Sequence, residues 1–446
     1  MPNTRQVLTD RFFVVNNAGK VQSAIGVPLV NGDLDTRDKC TVTREEIVTR
    51  RDYRDCRDED LIEAKIDSRL ARYTLDYAEV TPQIIARWSA MLLGAAASPT
   101  GSPSNEVQTL TRSGTVDGGT FTIALTLEGR TVTTKPIAWD ATPAAIQAAL
   151  TAPRMLFVQP GDVVVTGDWT GGIILTFPNT GRLGRANLPL VVVDDAAITG
   201  GGGIDVAETT PGAQRFHDFS RSTSRVKPRV TFALGWDTDT DRVEKYADYV
   251  VEAVNPATSL DGNVTLQVQL LGPWEYDSIE TAFDIPECVN IDPLQARDCR
   301  IQIDGEWQTV DINSINLSAN DNVPTDRLSA FPFDGIDVQN LERGRQPAYG
   351  VSASIFGSEV DSIYQLAQNE RTEDPVDVKV HFGFPGNRCT WNLPKTEIRF
   401  QSNRWGTAGE AQYATIQLEG VPFKDGLNAP LNVEAYLDQA TAFLAT

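Results

Sequence analysis

Residues 230–236 read VTFALGW, and residues 378–384, 148 positions further on, read VKVHFGF. Both alternate apolar side chains with others, as a half-buried strand must. Both end in an apolar residue, a glycine and an aromatic. The same spacing carries VVEAVN (250–255) onto IRFQSN (398–403), and VQLLGP (268–273) onto IQLEGV (416–421). In the last pair Gln269 meets Gln417, Leu270 meets Leu418 and Gly272 meets Gly420. Unrelated strands would drift in loop length, whereas these three segments keep one spacing without a gap. The chain reads as an internal duplication.

Upstream the copies agree in kind. In RYTLDYAEV (72–80), Tyr73, Leu75 and Tyr77 share one strand face. TPQIIARWSAMLLG (81–94) predicts a helix with Thr81 as N-cap, Pro82 at the first position and Gly94 at the end. Its apolar face is Ile84, Ile85, Trp88, Met91 and Leu92. The second copy has YGVSASIF (349–356), with Tyr349, Val351, Ala353 and Ile355 on one face. SEVDSIYQLAQ (358–368) predicts a second helix, capped by Ser358, with Val360, Ile363, Tyr364 and Ala367 inward. Each unit is strand, helix, strand, long hairpin, strand. Between helix and next strand the first copy carries roughly 125 residues more than the second, far too many for a loop.

That excess is an inserted domain. AAASPTGSPSN (95–105) and ETTPGAQ (208–214) have linker composition. Between them, TFTIALTLEGR (120–130) sets Phe121, Ile123, Leu125 and Leu127 on one face before a Glu128–Gly129 turn. DATPAAIQAAL (140–150) predicts a short helix capped by Thr142 and Pro143, with Ile146, Ala149 and Leu150 inward. DVVVTG (162–167), GIILTF (172–177) and LPLVVV (188–193) predict three further strands. A small α+β domain placed in a surface loop faces outward. At the other end Val433, Tyr436, Leu437, Ala440, Phe443 and Leu444 follow helical spacing. They predict a C-terminal amphipathic helix, docked on its own core or on a neighbouring subunit.

Little in the chain points to catalysis. At 446 residues with a net charge of −21, it lacks the clustered Lys and Arg that a nucleic-acid groove needs. There are two histidines, and His381 stands where the other copy has Ala233, which predicts a strand-surface role. Neither His217 nor His381 is spaced with another ligand as a metal site would be. Asp237, Asp239 and Asp241 open like a calcium loop, but Arg242 occupies the sixth position, which requires glycine. TGGGGID (199–205) lacks a following helix to bind an anion and reads as a link. TRRDYRDCRDED (49–60) alternates charge, which suits a solvated loop or a salt-bridged contact between subunits. Cys40, Cys56, Cys288, Cys299 and Cys389 are odd in number, with no CxxC, and suit reduced thiols. Neither a signal-peptide core nor a membrane-length apolar run is present, so synthesis in a cytoplasm without membrane insertion is expected. These readings predict no catalytic residue, cofactor or metal: the chain is not expected to be an enzyme.

The duplicated unit resembles the tail tube proteins of long-tailed bacteriophages. The two copies that carry the resemblance cover roughly 61–94 with 226–273, and 345–421. Residues 118–150 are similar to small domains appended to many phage structural proteins. The resemblance implies a mainly β (α+β) fold: two tandem tail-tube-like β-sandwich or barrel units, each with a short helix, plus a small inserted α+β domain. It divides the chain into 1–100 (first unit, N-terminal part), 101–215 (outward insert), 216–285 (first unit, C-terminal part) and 286–446 (second unit with the C-terminal helix). It implies a structural virion protein of the phage tail, made in the host cytoplasm. Homotrimeric, pseudo-sixfold rings would stack into a tube, with tape-measure, tail-tip or terminator proteins as partners. Genomic DNA would pass an acidic lumen during ejection without specific binding. Residues 101–215 would decorate the tube or contact the host surface, with Trp139 and Trp169 as exposed aromatics. The alternatives are another tail ring or baseplate component, and a β-domain carbohydrate-binding adhesin or hydrolase.

Overall fold

The computed structural model describes residues 6–8, 12–16, 22, 36–38, 40–54, 61–224, 226–236, 243–259, 262–275, 277–280, 293–308, 311–323, 347–357, 375–405, 414–422, 430–437 and 443–444. The protein is mainly β: two α-helices and 28 strands fall among these residues. The helix expected at 358–368 lies outside the described residues.

The backbone of the fold is one antiparallel sheet of eight strands. In spatial order they are β4 (Thr41–Arg54), β5 (Leu61–Tyr77), β19 (Thr265–Pro273), β18 (Val243–Ser259), β23 (Asp311–Asn320), β24 (Ala348–Gly357), β27 (Ala414–Pro422) and β26 (Asn387–Trp405). The first four come from the first half of the chain and the last four from the second. Strand order repeats across the middle. Leu270 pairs with Tyr73 and Val268 with Leu75; Leu418 pairs with Ala353 and Ile416 with Ile355. Tyr73 therefore corresponds to Ala353, not to Tyr349, because pairing register decides equivalence and local likeness does not.

The long strands β18 and β26 each belong to two sheets. The N-terminal part of β18 pairs with β17 (Val230–Trp236), and its C-terminal part with β19. The N-terminal part of β26 pairs with β25 (Val376–Phe384), and its C-terminal part with β27. Each turns the corner through two bulges, which add a residue to one strand and bend it. On β18, Ala247 and Asp248 stand opposite Thr231, with Asp248 at φ 63°, and Glu252 is the second extra residue. On β26, Pro394 and Lys395 face Asp377, and Gln401 and Ser402 face Gln417. Pro394 is tolerated because a bulge does not require its missing N–H.

The corner-turning parts lead into two outer layers. One comprises β3 (Thr36–Asp38), β2 (Phe12–Asn16), β17, β18 and β20 (Ser278–Glu280). The other comprises β6 (Gly94–Ala96), β16 (Arg215–Arg221), β28 (Asn432–Leu437), β26, β25, β21 (Cys299–Ile303) and β22 (Glu306–Trp307). Residues 432–437, expected to open the C-terminal helix, are thus strand. Leu431, Val433, Ala435 and Leu437 alternate into the core, and β16 and β26 supply backbone partners on both sides. Phe443 then packs on His217 and Phe219 of the same chain, with ring centroids 5.2 and 5.1 Å away.

Helix α1 (Pro82–Leu93) has the expected ends. The Thr81 hydroxyl accepts from Ile84 N at 3.4 Å, and Gly94 closes the helix at φ 73°. The expected apolar stripe is too narrow, however: Arg87, Ser89 and Ala90 are buried as well. The helix fills the space between β18 and the β16–β28–β26 layer, so most of its circumference meets protein. Trp88 anchors it by donating to the Tyr77 hydroxyl at 3.1 Å.

The insert closes a core of its own, which includes Leu110, Phe121, Ile123, Ile146, Leu175 and Ile204. β7 (Glu106–Ser113), β15 (Gly203–Thr210), β12 (Gly172–Phe177) and β11 (Val164–Asp168) form one sheet. In the other, β8 (Gly118–Leu127) pairs with β9 (Arg130–Thr133), β10 (Ile137–Ala138), β13 (Val192–Asp194) and β14 (Ile198–Thr199). Helix α2 (Pro143–Leu150) carries the Thr142 cap. The expected strand at 188–193 is irregular until Val192. Pro189 has no N–H to pair, and the buried Gln108 amide replaces a partner strand, donating to Pro189 O and accepting from Val191 N.

Ion pairs lock the middle of the eight-stranded sheet, where β18 meets β23. Arg72 donates to both oxygens of Glu252, at 2.6 and 3.0 Å. The Glu252 carbonyl accepts from Asp321 N at 2.9 Å. The Asp321 carboxylate in turn accepts from Lys227 at 2.8 Å, with side chains 1% and 0% exposed, and from Arg221 at 3.4 Å. Removing one member of a buried pair strands the other charge. Asp321→Ala is expected to cost about 3–5 kcal/mol in urea denaturation, against a small change for an exposed carboxylate such as Asp205→Ala.

Candidate assembly surface

The eight-stranded sheet ends in β4 on one side and in β26 on the other. At one end β1 (Gln6–Leu8) covers only Val42–Arg44 of β4. From Glu45 onward, β4 pairs only with β5 among the described residues. At the other end, from Glu397 to Trp405, the strand paired with β26 among the described residues is β27. The outer side of an end strand can take a further strand through its backbone groups. The edges are unlike, since one belongs to the first half and the other to the second.

β4 and β5 also run beyond the sheet as a two-stranded ribbon, paired from Ile47–Leu70 out to Arg54–Leu61. The charged stretch at 49–60, which suited a solvated loop or a salt-bridged contact between subunits, is strand as far as Arg54, and 55–60 lie outside the described residues. Pairing with β5 extends this strand despite its low apolar content. A ribbon of this kind is marginal alone.

The two faces of the sheet differ in chemistry. Tyr73, Leu75, Val254, Val268, Leu270 and Ile315 lie on the core face, each fully buried. On the opposite face, Asn255, Gln267, Gln269, Asn316, Ser318 and Ser352 are half-buried or exposed. Asp76 also lies there, accepting from Gln267 at 2.9 Å, together with the Arg72–Glu45 pair.

The insert is seated on the second half. Its Glu128–Gly129 turn, with φ of 49° and 77°, presses on Trp307 and places the Glu128 carboxylate 3.1 Å from Arg388 and 3.9 Å from Arg300. Burial pushes this carboxyl up, and the two guanidiniums oppose the shift. Arg182 lies 3.5 Å over the Phe384 ring and bonds Asp298 at 3.3 Å. Gln214 donates to Pro385 O at 2.6 Å. At Gly386, a Cβ would stand 2.6 Å from the carbonyl oxygens of Arg182 and Gly184, so only glycine fits. Beside this joint lies a cavity of about 450 Å³ lined by Gln83, Gln159, Asn179, Arg182, Gln295 and Asn387.

Trp139 and Trp169, expected as exposed aromatics, are half-buried. They hold the Arg112 guanidinium between them, 4.6 and 4.3 Å from their ring centroids, and Trp169 donates to Ala141 O at 2.9 Å. Their faces are engaged within the insert because Arg112 offers a stronger partner than water. His381 is likewise not on a strand surface. It is 4% exposed, bonded to Thr390 at 2.9 Å and covered by Trp307. Trp307, on the hairpin that β22 makes with β21 beside β25, covers the ring, a contact absent from sequence periodicity. His217 is also buried. Cys299 and Cys389 are buried thiols that burial pushes well up, which leaves them unreactive. Asp237, Asp239 and Asp241 lie outside the described residues. Among the described residues, no three His, Cys, Asp or Glu side chains converge as a metal site, and no helix is long and apolar enough to cross a membrane.

Gly386→Ala is expected to force the hairpin and insert apart at a cost of about 1–3 kcal/mol, seen as faster proteolytic cutting near 95–105 and 208–214. A second expectation concerns pH. Burial, with Arg388 and Lys379 adding, holds His381 well below its usual value. The unfolded imidazole takes a proton near 6.5, and the folded one resists it. Stability is therefore lost as pH falls below about 6.5, by about 1 kcal/mol one unit lower. Urea midpoints at pH 7.5 and 5.5 should show this fall, and His381→Gln should remove it. No family model matches the chain, and no curated protein matches it.

Proposed function

We propose that the chain is the tube subunit of a bacteriophage tail, with three copies closing into a ring and rings stacking into the conduit for the genome. The sheet of eight strands supports this reading: it holds four strands from each half, in repeated order, and ends in two unlike strands, β4 and β26. Unlike edges meet head to tail, so contact between copies is heterologous and makes a ring when the rotation closes. Closure removes the exposed edges that would otherwise aggregate. Three copies supply about 24 strands; at about 4.8 Å spacing and about 40° tilt, their backbone circle is about 48 Å across. That is wide enough for a duplex after side chains line the wall.

The core face of the sheet is occupied by α1 and the outer layers, so the polar face turns to the bore. Its described side chains are mainly hydroxyls and amides, with Asp76 and the Arg72–Glu45 pair. Phosphate binding requires clustered cations, and the cation described on this face, Arg72, is already paired with Glu45 and Glu252. Slipperiness then comes chiefly from a neutral polar wall, while the net charge of −21 adds a repulsive field around it. The β4–β5 ribbon suits contact with the next ring. The insert rests on the outer layer, where it would decorate the tube. Tape-measure and terminator proteins are the expected partners at the ends.

Purified protein should form annuli or hollow rods in negative-stain micrographs, with light scattering giving three chains per ring. A strictly monomeric protein at high concentration would overturn the reading, and rings that never stack would assign it to a tail terminus or baseplate.

A further inference from the structure

Lys227 and Asp321 meet where the two halves of the chain join. Lys227 lies on the segment that returns from the insert, and Asp321 follows the last residue of β23. Their side chains are 0% and 1% exposed, with Lys227 Nζ 2.8 Å from Asp321 Oδ2. At that hydrogen-bond distance the nitrogen stands within about 3.5 Å of the carboxyl carbon, the separation of a near-attack arrangement.

The backbone on both sides fixes this contact. Ser222 N donates to Leu93 O at 2.8 Å, ahead of Lys227. Beyond it, Arg229 donates to Asp248 O at 3.2 Å, and its carbonyl accepts from Gln22 N at 2.9 Å. Asp321 N donates to Glu252 O at 2.9 Å, and Asn322 N donates to the Asn320 side chain at 2.7 Å. The surroundings also favour the neutral, reactive forms of the pair. Burial penalises each ion. Arg221 donates to Asp321 Oδ1 from Nε and Nη2, each at 3.4 Å. Two cations thus share one carboxylate, and the second makes the Lys227 proton easier to surrender. The same guanidinium faces the oxygen that gains negative charge when a nucleophile adds to the carboxyl carbon.

We propose that Lys227 and Asp321 condense into an isopeptide bond that ties the first half of the chain covalently to the second. One ammonium proton crosses the 2.8 Å hydrogen bond to Oδ2. The freed amine adds to Cγ, and the negative charge on Oδ1 falls opposite Arg221. A second proton passes from Nζ to Oδ2, the Cγ–Oδ2 bond breaks, and water leaves. The Nζ–Cγ bond has formed, Oδ1 is the amide carbonyl, and nothing is oxidised or reduced. Free ions in water do not condense in this way, but groups held in contact react at an effective concentration of about 10⁵–10⁸ M. The bond needs one folded chain only, so it stands apart from the tube reading.

Intact-mass spectrometry of the denatured full chain tests the bond. The expected mass is one water below that of the unlinked chain, and trypsin should release residues 226–229 and 301–327 as one branched peptide. Lys227→Arg keeps the charge but offers no amine that can lose its proton, so the water should return and the two peptides separate. Followed from synthesis onward, Arg221→Gln should slow the loss of water about 100-fold. Wild-type protein that keeps the unlinked mass after prolonged standing would overturn the proposal. So would a missing water that persists in Lys227→Arg, since that loss belongs to an imide elsewhere in the chain. Closure in Arg221→Gln at the wild-type rate would overturn the part given to Arg221 and leave the bond.

Discussion

The pairing of β18 with β23 is the interaction on which the rest of the architecture depends. It turns two four-stranded halves into one continuous sheet. Without it, each half would present two open edges, and the chain would be a pair of loosely tethered domains. The seam is short in backbone pairs but reinforced from both sides. The Glu252 bulge sends its carbonyl to Asp321 and its carboxylate to Arg72, so one irregular residue ties β23 and β5 to β18. Lys227 and Arg221, on the segment returning from the insert, converge on the same Asp321. Buried ion pairs of this kind contribute less to net stability than to choosing one arrangement over others. Here the arrangement chosen is the joining of the two halves.

The bent strands explain how a duplicated unit makes layers. β18 and β26 each begin in an outer layer and end in the main sheet, and bulges provide the turn. A flat strand of that length would overrun its own core. The two halves then diverge. Beneath α1 the second half contributes β28 and β26, so the helix of one half is buried partly by the other. The insert, although it leaves the chain from the first half, is keyed to the β25–β26 turn of the second through Glu128, Arg182 and Gly386. Two halves alike in strand order thus depend on each other in structure.

Local features were legible because their causes are local. A threonine that caps orphan amides and a proline that needs no donor mark the start of α1, and the same pair marks α2. Glu128 and Gly129 form a turn because both can hold positive φ within a tight hairpin. Alternation placed Phe121, Ile123 and Leu125 inward. The failures share a different cause. Val433, Tyr436 and Leu437 satisfy a helical spacing over too short a window to exclude a period of two, and the partners on either side decided for strand. His381 and the two tryptophans of the insert look like surface residues until a neighbouring layer covers them.

What the sequence determined by itself is the strand character of 230–236 and 378–384, the separate core of the insert, and the ends of α1 and α2. These follow from side-chain period, spacing and capping, each acting within about ten residues. Tertiary structure alone decided the register of Val254 against Ala319, the burial of Lys227 with Asp321, and which strands end the sheet. Strand pairing joins residues distant in the chain through backbone groups that every residue carries, so no side-chain pattern announces it.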